Sequence, residues 1–272
     1  MKIGIIGYGS MGRMITEKLA ASEKLAKGNL LVTNRSKEKL QDVPENVVVC
    51  ECNGDCAKAD IVFLCVRPVD LKSVLAEIAS QLTQDTFVIS LNGSITFSML
   101  ETIFAGKIAK VIPSVTAEVD RSQTLVCYNE KVSAEDKKVL EDLLRSFGNV
   151  IELPEKELGM GSELVSCMPG FIASIFDVLC TSAKKHTSIP EEQVVKMVLQ
   201  TMCATGDLML SKGMSFEDVV TRVATPGGIT QEGTKVVYEQ FPETADTLFE
   251  KTLEKRRMTS EKALESFGKD LK

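Results

Sequence analysis

Residues Lys2–Ile6 (KIGII) form a short apolar run that leads straight into Gly7-Tyr8-Gly9-Ser10-Met11-Gly12. Arg13–Ala21 (RMITEKLAA) then follows a helical pattern. Strand, glycine turn and helix succeed one another with the spacing G-x-G-x-x-G. The first glycine permits dihedrals that other residues avoid. The second lets a pyrophosphate approach the backbone, and the third lets the helix lie close on the strand. The helix N-terminus adds unpaired N–H groups and a partial positive charge. Gly7, Tyr8, Gly9, Ser10, Met11 and Gly12 are therefore expected to cradle the phosphates of a dinucleotide.

The next 130 residues alternate between strand-like and helix-like patterns. Strands are expected over 29–33, 47–50, 60–66, 86–91, 108–112, 124–128 and 150–153, with helices over 69–80 and 134–147. The run Asp60–Val66 is almost continuously apolar, as a central parallel strand buried on both faces should be. This alternation predicts an α/β fold, a doubly wound (Rossmann) parallel sheet with room for antiparallel pairing near its end. Ligands in such sheets sit at the carboxyl ends of the strands. The second strand ends there in Asn34-Arg35-Ser36, without the acid that holds the ribose 2′-hydroxyl in NAD-preferring relatives. Arg35 offers a planar fork for a phosphate, and Asn34 and Ser36 offer hydrogen-bond donors. NADP(H) is thus expected ahead of NAD(H).

From Pro154 the strand pattern disappears. Long helices are expected over 156–185 with a bend at Pro169-Gly170, over 190–211, from Ser215 as N-cap, over 229–240, and again from Pro242 over 243–271. The chain therefore divides into a nucleotide-binding domain, 1–153, and an all-α domain, 154–272. A helical module of this size often completes its core by dimerising, which predicts a homodimer or higher homo-oligomer.

A formal charge of −6 and a pI near 5.1 argue against nucleic acid or an anionic membrane surface as partner. No apolar run of roughly 18 residues stands out, so no membrane-crossing helix is expected. The chain enters a strand at residue 2 without a secretory leader pattern, which predicts a cytoplasmic protein. Its eight cysteines read as reduced, mainly buried thiols. Cys50, Cys52 and Cys56 lack a second cysteine pair at zinc-site spacing, and the chain has one histidine, so no metal is expected. That histidine, His186, follows Lys184-Lys185 near a helix end, where a solvent-facing or capping role is expected.

The second informative stretch is Ala224-Thr225-Pro226-Gly227-Gly228-Ile229-Thr230. Backbone amides at such a helix start suit a small carboxylate, and a neighbouring hydroxyl can bond a ring nitrogen. It resembles the Ser/Thr-Pro-Gly-Gly-x-Thr signature of the pyrroline-5-carboxylate reductase family. Further motifs fit that resemblance over nearly the whole chain. Gly7–Gly12 matches the family's nucleotide loop, and Asn53 its cofactor-binding Asn. Val66-Arg67-Pro68 is similar to its Val-Lys-Pro, Asn92-Gly93 occupies its Ala-Gly position, and Val111-Ile112-Pro113 its Val-Met-Pro. The resemblance implies NAD(P)H-dependent reduction of a small cyclic imino acid, 1-pyrroline-5-carboxylate, to proline. It also implies a dimerising helical domain and a site assembled between subunits. Thr230, then Thr225, would be the catalytic hydroxyls, and Gly227, Gly228, Ile229 and Thr230 would hold the substrate. Asn53, Val66, Arg67, Pro68, Asn92 and Gly93 would join the glycine loop in holding the cofactor.

Two segments depart from the family. Pro113-Ser114-Val115-Thr116 stands for Pro-Asn-Thr-Pro, and Val165-Ser166-Cys167-Met168-Pro169-Gly170 for Ser-Gly-Ser-Gly-Pro-Ala. These forms are more similar to the reductase-like paralogues of competence operons. They bear on the substrate more than on the fold or the cofactor. The alternative reading is an NADPH-binding paralogue with a different substrate or a non-catalytic regulatory role. A β-hydroxyacid dehydrogenase is a further alternative, but Gly159-Met160-Gly161-Ser162 lacks the lysine that such enzymes use.

Overall fold

The computed structural model describes residues 1–22 and 24–268. Strands run over Ile3–Ile6 (β1), Leu30–Thr33 (β2), Val48–Val49 (β3), Ile61–Leu64 (β4), Phe87–Ser90 (β5), Lys107–Ile112 (β6), Ser122–Tyr128 (β7) and Gly148–Glu152 (β8). Among the described residues they form one sheet in the order β3-β2-β1-β4-β5-β6-β7-β8. All pairings are parallel except β6 with β7. The apolar runs of β1 and β4 are buried on both faces, so one core cluster lies on each side of the sheet.

The helices are Ser10–Ala21 (α1), Asn53–Cys56 (α2), Pro68–Ile78 (α3), Phe97–Glu101 (α4), Ala134–Leu144 (α5), Leu158–Ser162 (α6), Met168–Ala183 (α7), Glu191–Lys212 (α8), Phe216–Val223 (α9) and Ile229–Gly268 (α10). α3 has Pro68 at its first turn, and α5 opens on a capping box between Ser133 and Asp136.

Register determines where the chain can bind. Ile6 pairs with Thr33 and with Leu64, and Leu64 pairs with Ser90. The residues that follow, Gly7, Asn34, Val66 and Asn92, therefore leave the sheet along one edge. Strand order reverses at β1, so a crevice opens there between the loops after β1 and β4.

Two compact units result, Met1–Pro169 with Leu253–Lys272, and Gly170–Thr252. In the first, the end of α10 returns to the nucleotide-type core. Phe267 is only 1% exposed and lies in the cluster of Leu71, Leu75 and Ile78. In the second, among the described residues, α7 buries Cys180 alone, α8 buries Val194 alone, and α9 buries no residue. Apolar side chains such as Val178, Leu210 and Phe216 stand exposed.

Two expectations need correction, and a third is sharpened. Where a bend is expected at Pro169-Gly170, the chain carries a π-helical turn just upstream, over Glu163–Cys167. Pro169 has no N–H for the carbonyl of Val165 and its ring crowds that carbonyl, so the turn before it widens. Pro242 does not restart a helix but lies inside α10; one lost hydrogen bond is not enough to break a 40-residue helix whose C-terminal end is buried at Phe267. Residues 269–271 of the expected last helix lie outside the described residues. Finally, Glu155–His186 is long and apolar enough to cross a membrane by length and composition, with mean hydropathy 1.8 over its best window and 6% of that window buried. Ser166, Ser174 and Thr181 interrupt the apolar pattern but barely lower its average.

Candidate functional site

A cleft of about 540 Å³ opens at the carboxyl ends of β1, β2 and β4. Gly7 has φ +103°, and a Cβ there would lie 2.5 Å from the carbonyl oxygen of Cys65. Gly9 faces open space, with nothing within 4 Å of a built Cβ. At Gly12 a Cβ would meet the Gly7 carbonyl oxygen at 1.9 Å. No side chain caps the N-terminus of α1 and its first turn carries no acid. The first amides of that helix thus present a cradle for an anionic group, and a side chain at Gly9 would fill it.

Gly7, Gly9, Asn34, Arg35 and Ser36 line the cleft, and so do Asn53, Val66 and Arg67. Asn34 accepts from the Tyr8 amide at 2.8 Å and donates to the Ser36 carbonyl at 2.9 Å. Its side chain therefore ties the glycine loop to the tip of β2. Asn53 donates to Glu77 at 2.9 Å. The other expected cofactor residues sit around the cleft rather than on its wall. Tyr8 is buried and its hydroxyl has no hydrogen-bond partner among the described residues. Ser10 is the exposed first residue of α1, and Met11 packs on the core. Pro68 starts α3. Asn92 donates to the Val66 carbonyl at 3.1 Å, joining the ends of β5 and β4.

Gly93 is surrounded by charge that sequence reading missed. Lys110, 1% exposed on β6, donates to the Gly93 carbonyl at 3.2 Å and to Glu155 at 3.0 Å. Burial pushes the Lys110 ammonium below the ordinary lysine pKa, and Glu155 opposes that shift. A Cβ at Gly93 would lie 3.4 Å from Arg256 Nη1. Arg256 in turn donates through Nε (3.1 Å) and Nη2 (2.7 Å) to one oxygen of buried Glu163. The other oxygen, Oε2, has no partner among the described residues. Glu163 opens the π-helical turn, and its 93-residue separation from Arg256 leaves no sequence signal.

In the second unit, Thr225–Thr230 forms a tight turn into α10. Gly227 is left-handed, with φ +73°. The Gly228 amide donates to the Thr225 carbonyl at 2.9 Å, and the Gly227 amide donates to Gln231 Oε1 at 2.7 Å. The amides of Gly227 and Gly228 are therefore engaged within the loop, which leaves those of Ile229 and Thr230 at the helix start. Thr225, Ile229 and Thr230 are exposed. His186 is exposed at the end of a 3-10 turn. All eight cysteines are free thiols, four of them buried. Among the described residues no three potential ligands gather as a metal site.

Residues 2–93 match the family described as NADP oxidoreductase, coenzyme F420-dependent, and residues 155–259 match pyrroline-5-carboxylate reductase dimerisation. Over 265 residues the chain is 34% identical to pyrroline-5-carboxylate reductase 3 of Bacillus subtilis, covering 96% of this chain and 97% of that one. The chain belongs to the pyrroline-5-carboxylate reductase family. It is also 24% identical to ComE operon protein 4 of Bacillus subtilis, over 93% of this chain and 94% of that protein. Among solved structures it is similar to the Plasmodium falciparum pyrroline carboxylate reductase with NADP bound, at 25% identity and a TM-score of 0.87, covering 96% and 98% of the two chains. The fold expected from the sequence, a Rossmann-type sheet followed by a helical dimerisation module, is the fold of this family.

Proposed function

We propose that the chain reduces 1-pyrroline-5-carboxylate to L-proline with NADPH. The observation that carries this reading is identity of 34% with a reductase of that name over nearly the full length of both chains. The glycine loop fits the cofactor, because Gly9 opens a cradle at the uncapped start of α1. NADPH, when bound, supplies a hydride for the carbon of the ring C=N bond. Gly7–Gly12 would hold the pyrophosphate and Arg35, with Ser36, the adenosine 2′-phosphate. Asn53, Val66–Pro68 and Asn92-Gly93 would line the remaining length of the cofactor.

The protein's task is then orientation. The amides of Ile229 and Thr230 would hold the substrate carboxylate, with Gly227 and Gly228 shaping the turn. The Thr230 hydroxyl would bond the ring nitrogen, and Thr225 would support the loop. An imine that arrives protonated already carries the proton its nitrogen keeps in the product, so no strong acid is required. Residues 1–153 serve as the cofactor domain and 154–272 as the dimerisation and substrate domain. The exposed apolar sides of α7, α8 and α9 suit cover by a second copy, so the working form is a homodimer or a larger homo-oligomer. A cytoplasmic location and a role in proline biosynthesis go with this reading.

Thr230→Ala is expected to lower kcat roughly ten- to a hundredfold, the worth of one hydrogen bond that accepts from the charged ring N–H and fixes the ring against the cofactor. NADPH affinity should stay at the wild-type value. Unchanged turnover would remove Thr230 from the chemistry. The similarity to ComE operon protein 4 favours one alternative, an NADPH-binding paralogue with another substrate or a regulatory role. Binding of NADPH without oxidation by the imine would select it.

A further inference from the structure

The tip of β2 carries no acid, yet the structure brings one to it from another element. Asp70, in the first turn of α3, is shared by two arginines. Arg67 Nε lies 2.9 Å from Asp70 Oδ2 and Arg35 Nη1 lies 3.7 Å from Oδ1. All three residues line the same cleft. The Asp70 side chain is 27% exposed, against 81% for Arg35 and 69% for Arg67. The carboxylate is thus the fixed member, and the two guanidinium heads are free to swing on exposed stems.

We propose that Asp70 is a specificity-determining residue that moderates the preference for NADPH and admits NADH. The proposal rests on the cofactor reading given above. A 2′-phosphate carries a charge of about −1.5 to −2 at neutral pH. To bind it, Arg35 must turn from Asp70, which is left beside a like charge with Arg67 as its remaining partner. A cofactor with a free 2′-hydroxyl asks for neither change. Its O–H donates to Asp70, the role an acid at the strand tip plays in NAD-preferring folds, while the arginines keep their partner. One carboxylate therefore opposes one cofactor and supports the other.

The test is titration of NADPH and of NADH by cofactor fluorescence on the full-length protein, without substrate. Asp70→Asn should bind NADPH roughly three- to tenfold more tightly and NADH weaker by a similar factor, as expected for removing one charge from a partly solvated site. Asp70→Glu, which keeps the charge, should retain the wild-type order of affinities. A merely structural role for Asp70 at the start of α3 would move both affinities in the same direction, and that result, or no change in either, would overturn the proposal. Because binding is read without turnover, failure of the imine-reduction reading in a substrate assay remains a separate outcome.

Discussion

Gly12→Ala is expected to destabilise the first unit by about 3 kcal/mol, the upper range for forcing a methyl into a filled space, and to abolish NADPH binding. The added Cβ would stand 1.9 Å from the Gly7 carbonyl oxygen and 3.1 Å from Cys65 Cβ. Neither can yield cheaply. One is backbone of the glycine turn, and the other follows the central strand β4. Either α1 lifts from the sheet or the turn reshapes, and both destroy the cradle. Gly9→Ala is the matching control. Gly9 has an ordinary φ of −82° and open space around its Cβ position, so the variant should keep the wild-type urea midpoint. Its methyl would fill the cradle proposed for the pyrophosphate, so it should still lose NADPH affinity. Urea denaturation and NADPH titration of the two variants read stability and binding separately. Equal stability of Gly12→Ala and wild type would refute the close-packing argument.

Phe267→Ala should cost about 3–5 kcal/mol, the range for emptying a buried aromatic site. Phe267 lies far along the chain from α3, at the end of a highly charged helix. Its ring is nevertheless buried beside Leu71, Leu75 and Ile78. Lys72 fixes the same turn, donating to the Ser266 carbonyl at 2.7 Å with its ammonium 5.8 Å from the ring centroid. The loss should show as a lower midpoint of urea unfolding. A surface change such as Glu261→Ala, which removes only an exposed pair with Arg257, should shift it by less than about 0.5 kcal/mol.

What could be read from the residues alone was whatever is local. KIGII followed by G-x-G-x-x-G specifies strand, turn and helix within one stretch. The buried parallel strands declare themselves through unbroken apolar runs such as Ile61–Leu64. Pro68 and the Ser133–Asp136 box mark helix starts by their own chemistry. What escaped notice was set by partners distant in sequence. Pro242 looked like a break because its local effect is to remove a hydrogen bond, but α10 is held at its far end by Phe267 and Arg256. The π-helical turn accommodates Pro169 several residues upstream. Glu163 and Arg256 pair across 93 residues. Asp70 is the instructive miss. Its i,i+3 spacing from Arg67 was visible, but its approach to Arg35 depends on β2 and β4 flanking β1, a fact of sheet order.

Mixing the purified protein with NADPH and 1-pyrroline-5-carboxylate, following NADPH absorbance and measuring the proline formed, tests imine reduction directly. Saturable oxidation of NADPH, with one proline produced per NADPH consumed, is the predicted result. NADPH binding with no oxidation on this imine would contradict it.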